Sequence, residues 1–464
     1  TRRTAPRRYG CPNRWQSCAS DPPFDLHLRK GVIQLKFLDR FFNISGRGSN
    51  LQTEVAAGLT TFMTMPYILV VHPSFMANGA GMDRMACVVS MALVCGAVTL
   101  FMGLYANLPF ALATGMGGNA FFAFTLVKDG IVTWQVGMGM VFLSGVVFVL
   151  LTVLGIREVI VKLMPRSIKL AIGAAVGIFI AQLGLKSAGI LVVDKAMRFG
   201  DLHNAGTLLS VIGLFIVTAF MSFRVRGALL WSIILTSIIG IPMGITKLPT
   251  AWVAMPVSLE PLFLKLDVLG ALHWQYIPFM FTFFVGDFFS TLGTVLGVGA
   301  KAGLLDENGD LPDIGKPFLV DAIGTVVGSI FGLTTVTTFV ESAAGVEEGG
   351  KTGMTAVVTA LCFFAMLLFV PLISCVPSQA TAPVLIIIGL MMMPAVQGIN
   401  FKDFTESFPA FMTILMTAYL GLANGISSGI LCYTAAKVLS GRGRELHWGT
   451  YLLCVPLIAY FLNL

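Results

Sequence analysis

IPFMFTFFVGDFFSTLGTVLGVG (277–299) is the stretch of this chain that decides the fold. It is long enough to cross a bilayer, because about 20 apolar residues span the ~30 Å hydrocarbon core. Asp287 nevertheless lies in its middle, where an unpaired carboxylate costs on the order of 3 kcal/mol or more. On a helix, Ser290, Thr291 and Thr294 follow Asp287 at i+3, i+4 and i+7. The pattern predicts a spanning helix with one polar face built around an acid; the alternative is an acid that merely bonds a neighbouring helix.

The composition is typical of a polytopic helical membrane protein. Of the 464 residues, 56% are hydrophobic and 11% are charged, whereas soluble domains average roughly 25% charged. Backbone that spans a bilayer must satisfy its own hydrogen bonds, which favours helices. The net charge of +7 is no evidence for nucleic acid, because seven Lys/Arg and two Asp in residues 1–30 supply +5 of it. The eight cysteines include no CxxC pair and no metal spacing, so we expect no metal and no cofactor.

Residues 1–48 precede the first apolar segment and are rich in arginine near their start. We expect this extension to be disordered or an artefact, with part of an organelle targeting peptide as the alternative. No secretory-type apolar core precedes residue 54.

Apolar segments divide the rest of the chain into two halves of seven. The first half, 49–246, is separated by a partly polar connection, 247–275, from the second half, 276–464. An odd number of spans in each repeat would make the two repeats inverted in the membrane. The segments lie near 54–77, 83–105, 107–126, 132–156, 166–187, 205–223, 227–246, 276–299, 317–333, 334–346, 352–376, 380–397, 404–439 and 447–463.

The third segment of each half is too rich in small residues to be an ordinary span. These segments are LPFALATGMGGNAFFAF (108–124) and GLTTVTTFVESAAGVEEGG (332–350). The run Thr334–Thr338 favours extended backbone, and GMGG (115–118) cannot hold a stable helix in isolation. Broken segments at matching positions of two halves indicate the central binding site of a transporter.

Basic residues predict a cytoplasmic N-terminus by the positive-inside rule. Those between spans four and five, six and seven, and ten and eleven all fall on that side. Lys437, Arg442 and Arg444 are the exception, because the count of fourteen places them outside. A break at Asn424-Gly425 would turn 404–439 into a hairpin and move them inside, and the sequence leaves both counts open.

Glu341 is a second acid inside an apolar segment. It precedes Ser342-Ala343-Ala344-Gly345, where a half-helix would point its free N–H groups and positive dipole end toward a ligand. Beside such a terminus, the carboxylate of Glu341 would accept ring N–H donors from a flat heterocycle. The alternative is that Glu341 only caps the helix.

Further polar and aromatic candidates lie in the third and ninth segments. Asn119 follows GMGG, whose small residues permit close backbone approach, and its amide offers donors and an acceptor. Phe121 and Phe122 are placed to stack on a base, whereas the alternative for Asn119 is a satisfied turn residue. Asp321, in FLVDAIGTVVG, would pair with a neighbour or carry a proton. No Walker motif, nucleophile elbow or HExxH is present, so neither an ATP-driven pump nor an enzyme is supported.

Taken together, these segments resemble the AzgA-like purine permeases of the nucleobase–cation symporter-2 family. The resemblance runs from about Glu54 to the C-terminus. It is carried by EVAAGLTTFMTMPYILVVHP (54–73), GAGMD (79–83), TGMGGNAFFAF (114–124), FVGDFFSTLGT (284–294) and VESAAGVEEGGKTG (340–353), with weaker support from VPSQATAP (376–383) and LANGISSG (422–429).

The resemblance implies an all-α membrane protein of about fourteen spans in two inverted repeats. Spans 1–4 and 8–11 would form a core domain, and spans 5–7 and 12–14 a gate domain. The short third and tenth segments would cross at the substrate. Family members carry hypoxanthine, guanine or adenine with protons, by a motion thought to be elevator-like.

Residue by residue, the resemblance places the family's substrate-site residues on Asn119, Asp287 and Glu341. We expect Phe121, Ser290 and Thr338 to complete the site around them. The candidates for proton binding are Asp287, Glu341 and Asp321.

Two departures from the family bear on the substrate. The eighth span usually has a second acid where this chain has Ser290, and the first span usually has Asn before its proline where this chain has His72. The lost acid bears on proton coupling and on the preference among bases.

We therefore expect a purine importer in the plasma membrane, or in an organelle membrane, with a homodimer as one arrangement. The alternatives are a carrier of another nucleobase or of an anion on the same architecture, and a membrane receptor that no longer transports. Two buried acids at the site argue against an anionic substrate.

Overall fold

The computed structural model describes residues 38–155, 166–193, 197–249, 251–306 and 311–462. Most of the predicted N-terminal extension therefore lies outside the described residues. Its last part is ordered, because Phe42 and Ile44 are buried and Arg47 Nη1 donates to the carbonyl oxygen of Lys351 at 2.8 Å. The ordered chain thus begins before the predicted boundary at residue 49.

The described part of the first half is helical except for three very short strands. Two π-helical stretches, Met102–Ala106 and Phe121–Lys128, each continue the α-helix that precedes them. In chain order the elements are α1 (Leu51–Thr64), α2 (Ile68–Ala80), α3 (Arg84–Phe101), β1 (Leu112–Thr114), α4 (Met116–Ala120), α5 (Trp134–Val153), α6 (Arg166–Ser187), β2 (Leu191–Val193), β3 (Met197–Phe199), α7 (Ala205–Ser222) and α8 (Ala228–Gly240).

The rest of the chain, from the connection onward, is also mostly helical. Its elements are α9 (Val268–Ala271), α10 (Ile277–Lys301), α11 (Gly315–Ile330), β4 (Val336–Thr338), α12 (Ser342–Glu347), α13 (Gly353–Ala365), α14 (Val370–Ser374), α15 (Ser378–Met392), α16 (Phe404–Leu420), α17 (Leu422–Leu439) and α18 (Trp448–Leu462).

Side-chain caps and composition explain where several helices begin. Asn50 Oδ1 accepts from Thr53 N at 2.9 Å, and Asp83 Oδ1 accepts from Ala86 N at 2.7 Å, as expected of N-cap residues. Among the described residues, eight helical stretches are long and apolar enough to cross a membrane, the first being Leu51–Ala80 and the last Ser378–Gly398. The protein is therefore a mostly helical, multi-pass membrane protein.

The predicted short strands are confirmed, and they pair with each other across the two halves. β1 and β4 run antiparallel, with Leu112 opposite Thr338 and Thr114 opposite Val336. A short helix follows each strand, α4 after β1 and α12 after β4. Small and β-branched residues in these segments favour extended backbone over helix, which is why neither segment forms a single continuous span.

One predicted segment, 404–439, is in fact two helices. Gly421 separates α16 from α17 at φ +86, a backbone region that suits glycine. The predicted break at Asn424-Gly425 is wrong by a few residues, because Gly425 lies inside α17 and packs on α16. A methyl group there would lie 1.8 Å from Thr417 Oγ1, so glycine permits close helix contact. The segments after residue 404 therefore comprise three helices, α16, α17 and α18, where the sequence predicted two spans.

This hairpin favours one of the two positions that the sequence left open for its basic residues. Arg442 Nη1 lies 2.7 Å from Asp403 Oδ2, so both ends of the hairpin meet. Glu406 Oε2 accepts from Ser167 Oγ at 2.5 Å, which puts these ends beside the start of α6. Lys437, 3.0 Å from Glu406 Oε1, therefore lies on the same side as the basic start of α6. Arg157 and Lys162 lie outside the described residues.

The helices pack in two groups. The first packing group contains α1 to α5 and α10 to α14 around the β1–β4 pair, and the second contains α6, α7, α8, α15, α16 and α17. α10 lies at the boundary, because it also contacts α6, α17 and α18. The strand pair and α10 bring the predicted site residues to this region.

Candidate functional site

Asp287, the acid in the middle of α10, lies against α11. Asp287 is 4% exposed, and its Oδ2 accepts from Thr325 Oγ1 of α11 at 2.8 Å. Thr325 Oγ1 in turn accepts from Val336 N of β4 at 3.0 Å. Asp287 Oδ1 has no hydrogen-bond partner among the described residues. One oxygen is therefore anchored, and the other is buried without a hydrogen-bond partner in the described part of the chain.

Asp321 is the second acid of this buried cluster. It is fully buried, and its Oδ1 accepts from Thr338 Oγ1 at 3.5 Å. Its Oδ2 also lacks a partner within the described chain. Thr291 and Thr337 bridge α10 to β4 with their hydroxyl oxygens 2.7 Å apart. We call Asp287, Thr291, Asp321, Thr325, Thr337 and Thr338 the buried acid cluster.

The buried acid cluster contains two carboxyl groups and no side chain that could pair with them as a cation among the described residues. In the ion pairs found across the described residues, neither Asp287 nor Asp321 takes part. Two uncompensated carboxylates in an apolar interior are costly. Neutralisation by a bound proton or cation removes that cost.

Glu341 lies at the start of α12 but does not cap it. No side-chain cap bond is formed at this helix. The carboxylate instead turns to the first span, where Glu341 Oε1 accepts from Tyr67 Oη at 2.7 Å. Glu341 is half-buried, and Tyr67 is the side chain that donates to its carboxylate.

Asn119 and Phe121 lie deeper than the predicted site required. Asn119 is fully buried; its Nδ2 donates to Thr114 Oγ1 at 3.0 Å, and its Oδ1 accepts from Thr334 Oγ1. His72 Nδ1 lies 3.1 Å from the same Thr114 hydroxyl. The Phe121 ring is also fully buried, 5.2 Å between centroids from Phe283. In this conformation Asn119 supports the strand pair, and Phe121 packs in the core.

Ser290 faces a different direction from the rest of the predicted polar face. It is exposed, whereas Thr291 is buried with Asp287. A methyl group added at Gly286, Gly293 or Gly297 would meet nothing within 4 Å. We call Gly286, Ser290, Gly293 and Gly297 the open face of α10. The polar residues that helical spacing predicts on one face of α10 therefore lie on two. Asp287 and Thr291 belong to the buried acid cluster, and Ser290 belongs to the open face.

Two residues that matter to this geometry are absent from the sequence-based site. Thr325 lies one helical turn after Asp321, a spacing that a search for hydroxyls near buried acids would find. Tyr67 follows Pro66 at the break in the first span, and nothing in its local sequence points to a residue 274 positions away.

A cavity of about 640 Å³ lies apart from these residues. It is lined by Val127, Tyr276 and residues 130–136 and includes none of the predicted site residues.

Comparison with known proteins supports a family assignment. Residues 52–430 match the Permease family of xanthine/uracil permeases. The chain is 38% identical over 425 residues to the adenine permease AdeQ of Escherichia coli, covering 91% of this chain and 94% of AdeQ. It is 36% identical over 434 residues to the guanine/hypoxanthine permease PbuO of Bacillus subtilis, covering 91% and 99%.

Solved structures show a similar fold at low sequence identity. The transmembrane domain of the cyanobacterial bicarbonate transporter BicA superposes with a TM-score of 0.62 at 16% identity, over 81% of this chain and 97% of that domain. The match to a family model over most of the chain, together with the broken, paired third segments, identifies the protein as a member of the xanthine/uracil permease family.

Proposed function

We propose that this permease takes up purine nucleobases together with protons. The relatives AdeQ and PbuO are named for adenine and for guanine and hypoxanthine, and both match nearly the full chain. The observation that carries the proposal is the buried acid cluster, which has two carboxylates, two unpartnered oxygens and no ion pair among the described residues.

The buried acid cluster suits proton binding. An isolated carboxylate is costly in a membrane interior, so Asp287 and Asp321 gain by taking up a proton when they cannot pair with a cation. Asp287 is the better exchange group, because it lies one helical turn from the exposed Ser290 on α10, whereas α11, which carries Asp321, contributes no residue to the open face. A proton bound here would be carried with the substrate.

Glu341 and Ser290 suit recognition of a flat heterocycle. Glu341 is half-buried and Ser290 is exposed, and α10 contacts α12, which Glu341 precedes. The Glu341 carboxylate would accept a ring N–H, and the Ser290 hydroxyl would donate or accept beside it. Three of the predicted site residues would act indirectly, by supporting the β1–β4 pair and the core beside it: Asn119, Phe121 and Thr338.

The two packing groups suit an elevator-like motion. The acids and both strands belong to the first group, which would move as a core domain against the second group as a gate domain. The open face of α10 lies on a helix at the boundary between them, where glycine and serine present a smooth surface to a sliding partner.

Uptake of radiolabelled adenine, hypoxanthine and guanine in cells that lack their own permeases tests the proposal. We expect saturable uptake that rises with external acidity and collapses with a protonophore, and loss of uptake in Asp287→Asn at equal expression. Uptake that follows a sodium gradient and ignores pH would contradict proton coupling. Absence of uptake for every purine base would contradict the substrate class.

An anion carrier is the second candidate, because BicA, whose fold is similar, is a bicarbonate transporter. Uncompensated acids at the site disfavour a negatively charged substrate. A competition assay distinguishes an anion carrier from a purine carrier. If purines are the substrate, bicarbonate or sulfate in excess should leave purine uptake unchanged.

A further inference from the structure

The first span is interrupted beside the candidate site. α1 ends at Thr64 and α2 begins at Ile68, with Pro66 in the turn between them. The turn directs Tyr67 inward, and this large polar side chain is 1% exposed. A buried phenol needs a hydrogen-bond partner, and the partner here is Glu341 Oε1 at 2.7 Å.

Helix packing fixes the distance between this turn and Glu341. α12 lies against α1, and a methyl group on Gly345 would come within 2.1 Å of Thr61 Oγ1 and 2.5 Å of the Ala57 carbonyl oxygen. Thr64 Oγ1 also donates to the Glu341 carbonyl oxygen at 3.4 Å. Contact without intervening side chains leaves little freedom for α12 to slide, so Tyr67 meets the carboxylate in one register.

We propose that Tyr67 is the positioning and specificity-determining residue for the base at Glu341. The inference rests on the proposed purine function. Because Tyr67 already donates to Oε1, Oε2 is the carboxylate oxygen that a base would meet without competing with a protein donor, whereas a second bond to Oε1 would have to share that oxygen with Tyr67. A base edge with one N–H donor is fully matched by that atom. An edge with two adjacent N–H donors, as in guanine, would need both carboxylate oxygens.

Tyr67→Phe removes the hydroxyl and keeps the ring, so it releases Oε1 with little change in packing. We expect the KM for hypoxanthine to rise several-fold, because the carboxylate is no longer oriented. We expect guanine to lose less, so the affinity ratio of guanine to hypoxanthine rises. Tyr105→Phe is the matched control, because Tyr105 is exposed and stacks on Phe101 away from the site.

A double-mutant cycle shows whether Tyr67 acts through Glu341. Base binding to the purified transporter would be measured for wild type, Tyr67→Phe, Glu341→Gln and the double variant. We expect Tyr67→Phe to add no further loss in the Glu341→Gln background. Equal losses in both backgrounds, or an unchanged base preference in Tyr67→Phe, would overturn the inference while wild-type purine uptake left the proposed function standing.

If Tyr67→Phe does not accumulate in the membrane, Glu341→Asp serves instead. The shorter side chain withdraws the carboxylate from Tyr67 and leaves the tyrosine in place. A raised KM for hypoxanthine at unchanged thermal stability would support the inference, and an unchanged KM would overturn it. If wild type takes up no purine at all, it is the proposed function that fails.

Discussion

Asp287 has two oxygens in different environments, and this asymmetry is the basis for its proposed role. Oδ2 is anchored by Thr325, whereas Oδ1 has no partner among the described residues. Thr325 also bonds β4, so it ties the orientation of the acid to the strand pair. The threonine is thus a positioning residue for the acid.

Thr325→Val should therefore impair uptake while the protein still folds. Valine keeps the shape and removes the donor to Asp287. A hydrogen bond to a charged group is worth about 1.5–3 kcal/mol, which corresponds to roughly a tenfold loss or more. Initial uptake rates and thermal stability would be compared with Thr218→Val, whose hydroxyl bonds only its own helix. Wild-type rates would show that the anchor is dispensable.

Ser290 offers a test of the missing second acid. It is exposed on the open face of α10, one turn from Asp287, so a carboxylate there would add negative charge close to the first. Two carboxylates so close favour retention of a proton by one of them. We expect Ser290→Asp to move the pH optimum of uptake upward and to alter the preference among purines. Matched pH profiles and competition assays measure both.

At the element scale, close helix packing depends on glycine at particular positions. Gly345 brings α12 onto α1, whereas a methyl group at Gly297 on the open face of α10 would meet nothing within 4 Å. The two glycines are both helical, so they form a matched pair.

Gly345→Ala should destabilise the protein, whereas Gly297→Ala should not. Overpacking a tight contact typically costs about 1–3 kcal/mol, and the clash with Thr61 Oγ1 and the Ala57 carbonyl involves backbone that cannot move alone. Thermal unfolding of the two purified variants measures the difference. A Gly345→Ala transition that matches wild type would mean that α12 can shift away from α1.

At the scale of the whole molecule, the basic residues collect at one end of the helices. At that end Glu347 forms an ion pair with Lys301 at 2.6 Å, and Glu348 forms one with Arg226. The hairpin places Arg442 at the same end as the start of α6. By the positive-inside rule we expect this end to be cytoplasmic.

Cysteine labelling would establish this orientation. In a cysteine-depleted background, Ser258→Cys in the connection between the halves should react with a membrane-impermeant maleimide in intact cells. Ser440→Cys, after α17, should react only after permeabilisation. Both serines are exposed, so access to the reagent depends on the side of the membrane. The reverse labelling pattern would show that the chain is inverted.

Local properties of the sequence predicted much of the fold. The length of apolar segments indicated membrane helices, and threonine and glycine runs indicated the strands that became β1 and β4. The error at 404–439 has the same origin: α16 and α17 are both apolar, and the break at Gly421 depends on one backbone conformation. A hydropathy profile is averaged over a window of residues, so a break at one glycine between two apolar helices does not show in it.

The sequence by itself determined that this is a membrane permease with acids at Asp287, Asp321 and Glu341. Apolar span length, buried charge and family motifs are read within one segment, so they need no knowledge of packing. The tertiary structure alone decided which hydroxyl meets which carboxylate: Tyr67 lies 274 residues from Glu341, and Thr325 lies 38 from Asp287. It also decided that Asn119 is buried and Ser290 exposed. Such contacts depend on how the two halves interlock, because a side chain's partner across the fold is set by helix packing and not by its neighbours in sequence.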